Sequence, residues 1–340
     1  MWLMPWKCIL TALLVLGLAA AAAPRAAGQT AAPPYRDPTA GQLVIIDTDI
    51  GDDIDDAFAV ALALRSPEIH LLGITTEFGD TKLRARLLDR YLKAVGRTDI
   101  PIAAGVHTKH RGVFTQAEYA RQQPARRFPD AVDFLLHRIR AHPGQITLVA
   151  IGPLFNVQAA IARDPATFRQ LKRVVMMGGS IYRGYDGAGG AHTPPSPEWN
   201  VRCDPAGLRA LLASGVPVYM MPLDSTQIHF GPPALDTVLH HGSALTNQLA
   251  LLYGEWSAST GRTPTLFDPV TVAFILRPQL CPTSPMTLRV DKKGDTLPVN
   301  TPAKAGSSAA PAPNVEVCLQ SDDTGFRQLL LRRIASDDRP

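Results

Sequence analysis

Positive charge does not cluster in this chain. Its 340 residues carry 34 Lys and Arg against 30 Asp and Glu, and the cations are scattered with no long basic run, which argues against a nucleic-acid partner. Aromatic content is low, at 6%. The four cysteines show no zinc-ligand spacing. No apolar run suits a membrane span: the stretch Cys8 to Ala23 falls short of the roughly 20 residues required. Neither an internal repeat nor an interior linker is visible, so residues 42–336 are expected to form one catalytic domain.

What the chain does have at its start is a targeting pattern. Lys7 precedes the apolar Cys8–Ala23 stretch, and Ala26-Ala27-Gly28 stands before Gln29. Residues 1–28 therefore read as a signal peptide and residues 29–41, rich in Pro and Ala, as a linker. The mature protein is expected to be exported, periplasmic or secreted, with no membrane contact after cleavage. Cys8 leaves with the signal. An oxidising compartment permits one disulfide among the remaining three cysteines. Cys281 with Cys318 is the expected pair, both lying in the C-terminal region outside the main helices, and Cys203 is left over.

The densest chemistry lies between Leu43 and Leu64. An apolar β-branched strand runs into six aspartates, at 47, 49, 52, 53, 55 and 56, with Gly51 at the turn, and an Ala/Leu-rich helix follows. In open α/β sheets ligands bind at the carboxyl ends of strands. Like charges this close repel unless a cation sits among them, and a hard, oxygen-loving ion such as Ca²⁺ or Mg²⁺ is the simplest remedy. Further strands are expected at Ile69–Thr75, Pro101–Ala103, Ile146–Ala150, Arg173–Met177 and Val216–Met221, alternating with amphipathic helices. This predicts an α/β fold with a mostly parallel central sheet and helices on both faces. Met286–Val290 and Val315–Leu319 read as late strands, an antiparallel pair. Residues 106–128 read as an irregular flap, 181–197 as a binding loop, and 301–313 as an exposed low-complexity segment.

Five motifs in order, Asp47 to Ala57, Ile151 to Asn156, Met177 to Gly179, Glu198 to Asn200 and Asp268-Pro269, resemble those of the inosine–uridine-preferring nucleoside hydrolase family. The resemblance covers almost all of the chain after residue 42. It implies a nucleoside hydrolase-like fold and a Ca²⁺-dependent hydrolase cleaving the N-glycosidic bond of small-molecule ribonucleosides to base and ribose, working as a homo-oligomer. It implies that Asp49, Asp56, Asp268 and the main-chain carbonyl of Ile151 ligate Ca²⁺, and that Asp49 takes the proton of the metal-bound water. Asp55, Glu198 and Asn200 would hold ribose hydroxyls, with Met177 packing near the sugar, and Asp80 and His192 are further candidates for ligand contact. The chemistry agrees, since an oxocarbenium-like sugar asks for an activated water, anionic surroundings and a grip on the hydroxyls.

The departures from the family pattern are specific. Asp52-Asp53-Ile54 lengthens the acidic loop, so Asp53 competes with its neighbours for a role. Phe267 stands where a His often precedes the late Asp, and His192 where an Asn is common. For the leaving group that leaves His107, His110, His192 and His229, or stacking on Trp199 or Trp256. Two rivals stand beside hydrolysis: a nucleoside- or ribose-binding protein without catalysis, and a Mg²⁺-dependent phosphate or diphosphate hydrolase. The absence of Lys and Arg from residues 43–64 counts against the second.

Overall fold

The structure, a computed structural model, describes residues 41–109, 112–299 and 312–336. The expected signal peptide, the expected linker up to residue 40, His110 and most of the 301–313 segment lie outside the described residues.

Ten strands are present among the described residues: β1 Gln42–Thr48, β2 Ile69–Thr76, β3 Ile102–Ala104, β4 Thr147–Ala150, β5 Arg173–Met177, β6 Val218–Met221, β7 Thr283–Met286, β8 Leu288–Val290, β9 Thr296–Pro298 and β10 Val315–Cys318. Eight form one sheet in the order β3-β2-β1-β4-β5-β6-β10-β7. All its pairings are parallel except β10 with β7. The late antiparallel pair is thus real but narrower than its expected range. Met286 pairs with Val315, while Leu288–Val290 leaves the sheet and pairs antiparallel with β9 in a separate hairpin. No periodicity marked the three-residue β9, which ends two residues before undescribed chain. The expected flap contains one short helix, Ala117–Arg121.

Successive residues of β1 face opposite sides, as a strand requires. Val44 and Ile46 join one apolar core and Ile45 the other. The helices Asp55–Leu64, Thr81–Ala94, Ala244–Thr260, Pro269–Leu276 and Asp323–Ile334 contribute to the first core; Ala131–Ala141, Phe155–Arg163 and Pro205–Ala213 contribute to the second. The Asp55–Leu64 helix is apolar on every side, and Ala57 to Ala63 are all buried. Such a helix is stable only with neighbours all round. Its acidic first turn is therefore held against the sheet.

Cys281 and Cys318 form a disulfide with Cα atoms 5.6 Å apart, and Cys203 is free. The bond ties β10 to the turn that follows Pro278–Leu280. No helix among the described residues is long and apolar enough to cross a membrane.

Candidate active site

The strand order reverses direction at β1 and β4: the chain builds β1, β2, β3 to one side and β4, β5, β6 to the other. At such a switch point the connections diverge and leave a crevice beyond the strands' carboxyl ends. β1 ends there in Asp47-Thr48, followed by Asp49. β4 runs into Ile151, and β5 ends in Met177. A cavity of about 320 Å³ opens at this point. Asp49, Asp55, Asp56, Ile151, Met177, Glu198, Asn200 and Asp268 all line it, so the structure brings together eight of the ten residues singled out from sequence.

The acidic loop is built by local bonds. The Asp47 carboxylate accepts from Thr75 Oγ1 at 2.5 Å and Asn156 Nδ2 at 2.7 Å, which locks it into the sheet. The Thr48 hydroxyl donates to Asp56, and Ile50 N donates to Thr48 Oγ1 at 3.0 Å. Gly51 has φ 123°, a conformation that excludes a side chain, and a Cβ there would lie 2.0 Å from the Phe114 ring. Asp52-Asp53-Ile54 forms the turn before the helix, so Asp55 and Asp56 occupy its first turn, where the helix dipole favours anions. Asp53 lines the cavity and bonds its neighbour Ile54 N at 2.7 Å.

Sequence reasoning missed the residue that holds this loop. Arg84, fully buried on the Thr81–Ala94 helix, donates through Nη1 to the carbonyls of Asp49 and Ile50 and pairs with Asp52 at 3.0 Å. Its Nε donates to Phe78 O at 2.7 Å, and its guanidinium lies 4.9 Å from the Phe114 ring centre. Phe78 adopts φ 60°, rare for a non-glycine residue, which marks the turn as constrained. The lengthened loop is therefore accommodated by an internal cation. An Arg84→Met variant strands Asp52 and the carbonyls, and should cost about 3–5 kcal/mol in urea unfolding. An unchanged midpoint would mean the pairing carries no stability.

Burial dominates the electrostatics. It raises Asp49 to about 7, with Arg84 opposing and Asp52 adding to the rise. Burial first, then neighbouring carboxylates, holds Asp55, Asp56 and Asp268 well above the ordinary range. Glu77, also buried and also missed from sequence, is raised by burial and then by Asp47 and Asp49. A Cβ on Gly152 would lie 2.4 Å from Glu77 Oε1 and 2.8 Å from Asp49 Oδ1, so only glycine lets these two carboxylates face the turn after β4.

Asp55, Asp56 and Asp268 each offer a carboxylate oxygen, all within 4.8 Å of one another. Buried acids with too little positive charge among them, offering oxygen ligands only, fit a metal ion, and a hard one. Two of the expected ligands, Asp56 and Asp268, are in this tight cluster. Asp55, expected on ribose, joins it, because its Oδ2 accepts from the N–H groups of Phe267 and Asp268 at 3.2 and 3.1 Å. Asp49 and Ile151 line the same cavity.

The opposite wall hangs on Glu198. It caps the Trp199–Cys203 helix, accepting from Asn200 N at 2.9 Å, Val201 N at 3.1 Å and Gly179 N at 3.0 Å. Asn200 Nδ2 donates to Met177 O at 3.2 Å. The β8–β9 hairpin buttresses this wall: Ser180 N donates to Thr296 Oγ1 at 2.8 Å.

Asp80 and His192 do not line this cavity. Asp80 is exposed and caps the Thr81–Ala94 helix through Leu83 N at 3.0 Å; it borders a separate hollow with His107. His192 is exposed on the 181–197 loop, and His229 lies 3.3 Å from Asp186. None of these histidines lines the cavity. Trp256 is core, packed 6.0 Å from Tyr253. Trp199 lines the cavity, edge-on to Phe78. The mouth is formed by Val113, Tyr185, Arg262 and Phe267, with Tyr185 and Phe267 in an edge contact at 6.1 Å.

With this geometry in view, comparison with known proteins is decisive: the inosine-uridine preferring nucleoside hydrolase family matches residues 44–328. The chain belongs to that family. It is 31% identical to the pyrimidine-specific ribonucleoside hydrolase RihA of Citrobacter koseri, over 86% of this chain and 97% of that protein. It is 30% identical to the non-specific ribonucleoside hydrolase RihC of Salmonella paratyphi C, over 85% and 96%. A plant nucleoside hydrolase, PpNRh1, superposes with a TM-score of 0.73 at 27% identity, covering 87% of this chain and 99% of its own. The chain is a nucleoside hydrolase, an enzyme that breaks the bond between base and ribose. The α/β fold read from the sequence is the fold of its relatives.

Proposed function

We propose that this nucleoside hydrolase acts with one Ca²⁺ held by Asp49, Asp56, Asp268 and the Ile151 carbonyl, and that Asp49 is its general base. The observation that carries this reading is the convergence, around one switch-point cavity, of buried carboxylates on one wall with Glu198 and Asn200 on the other. When bound, such a cation lowers the pKa of a ligating water and positions it. Asp49 receives the water's proton as its oxygen closes on the anomeric carbon; burial raises this carboxylate in the metal-free chain, and a bound cation would lower it again. Asp55 uses Oδ2 for main-chain donors, which leaves Oδ1 for the ribose 2′-hydroxyl. Glu198, held rigidly by three N–H groups, and Asn200 take the remaining hydroxyls. Met177 closes the floor beneath the sugar.

The protein acts on free nucleosides outside the cytoplasm, as a homo-oligomer. The Cys281–Cys318 disulfide supports an oxidising compartment, in keeping with the leader pattern of residues 1–28.

A panel of purine and pyrimidine ribonucleosides tests the reading, because RihA and RihC differ by name in their base range. Ribose release from uridine or inosine, abolished by chelator and restored by Ca²⁺ in preference to Mg²⁺, is expected. Turnover that survives exhaustive chelation would remove the metal from the scheme.

A further inference from the structure

The reading above leaves the departing base without an acid. Among the described residues, the cavity wall contains no histidine and a single cation, Arg262. Arg262 follows Gly261, the left-handed cap (φ 64°) that ends the Ala244–Thr260 helix. The chain beyond it is anchored: Phe230 N donates to Pro264 O, and Leu266 N to Ile228 O, both at 2.8 Å. Arg262 itself is exposed at the mouth, and its main-chain N–H bonds Thr260 Oγ1 at 3.3 Å. Asp53, on the same wall, feels its positive charge. Phe267 and Tyr185 line the same cavity, with their rings edge to face.

The placement fits the bond that breaks. If the buried carboxylates and Glu198 hold the sugar, the base must point to the mouth, since that is where it leaves. The mouth then offers the base two aromatic rings and one guanidinium. We propose that Arg262 is the leaving-group residue: it donates to an acceptor on the base, an exocyclic carbonyl oxygen or ring nitrogen, and stabilises the negative charge that grows there. The water oxygen bonds to the anomeric carbon, the glycosidic pair of electrons goes to the base nitrogen, and the water's proton goes to Asp49. The base departs as an anion paired with Arg262 and takes a proton from solvent. A permanent cation replaces a proton donor, which is why Phe267 can stand where an acid is expected.

This inference rests on the nucleoside hydrolase reading, and leaving-group chemistry separates the two. Wild type, Arg262→Gln, Arg262→Lys and Tyr185→Phe are compared on uridine, inosine and 4-nitrophenyl β-D-ribofuranoside, whose nitrophenolate leaves without help. Arg262→Gln should lose about 10²–10³-fold in kcat/KM on the nucleosides, the scale of removing one charge-stabilising donor. Its loss on the nitrophenyl riboside should be at least tenfold smaller, with Arg262→Lys between wild type and Gln. Equal losses on all three substrates, no loss on any, or a nucleoside-selective loss in Tyr185→Phe alone would overturn the assignment. Wild type that cleaves the nitrophenyl riboside but no nucleoside would overturn it as well, while wild type that cleaves none of them would overturn the hydrolase reading on which it rests.

Discussion

An Asp49→Asn variant is expected to lose at least about 10³-fold in kcat on uridine and inosine, with KM moving far less. General-base assistance alone accounts for about 10²–10⁴, and the same substitution removes the charge of one of the carboxylates proposed to hold the cation. Asn keeps the shape and the main-chain contacts, so Arg84 can still hold the carbonyl of residue 49 and the Gly152 turn still closes over it. What Asn cannot do is take a proton. The contacts proposed for ribose lie on Asp55, Glu198 and Asn200 and are untouched, which is why the loss belongs in kcat. Steady-state kinetics on the Ca²⁺-loaded variant reads the split. Full activity would show that another carboxylate, with the buried Glu77 first in line, is the base.

The legible and illegible parts of this protein divide by length scale. Motifs carried by consecutive residues were readable: the Asp47–Ala57 loop announces itself by charge density, and Glu198-Trp199-Asn200 by its place before a helix. The parallel sheet was readable because its strands are short apolar runs between amphipathic helices. Arg84 was not, because nothing in an amphipathic helix distinguishes an arginine facing water from one that turns inward to an acidic loop 35 positions away. Glu77 looked like one polar residue in a strand-end loop; only the parallel pairing of β1 with β2 puts it under Asp49. Asp80 was ambiguous for a related reason, since a carboxylate at a strand end is equally suited to capping the next helix, and here it caps one. Arg262 and Tyr185 sit on separate loops that meet only in three dimensions.

Removing the metal should make stability strongly dependent on pH, in an unusual direction. An acid whose folded pKa lies above its unfolded value holds its proton more tightly in the fold. It therefore contributes stability below the unfolded value and gives that up as pH climbs through the folded one. Burial is the main cause for Asp47, raised from 3.8 to about 6, which amounts to about 3 kcal/mol over that window. Asp49 extends the window to about 7, and Asp55, Asp56, Glu77 and Asp268 push the same way. Carboxylates lowered by ion pairs, such as Asp89 beside Arg126 and Lys93, act below this range and do not oppose it. Chelated protein should then melt at a falling temperature from about pH 5 to pH 8. If the cluster takes Ca²⁺ as proposed, the ion binds its deprotonated form, so the gap between loaded and chelated melting temperatures should widen as pH rises. Scanning calorimetry across that range checks both trends. A chelated protein equally stable at both ends would mean that these carboxylates are already neutralised within the fold, and that the cluster does not need a cation to exist.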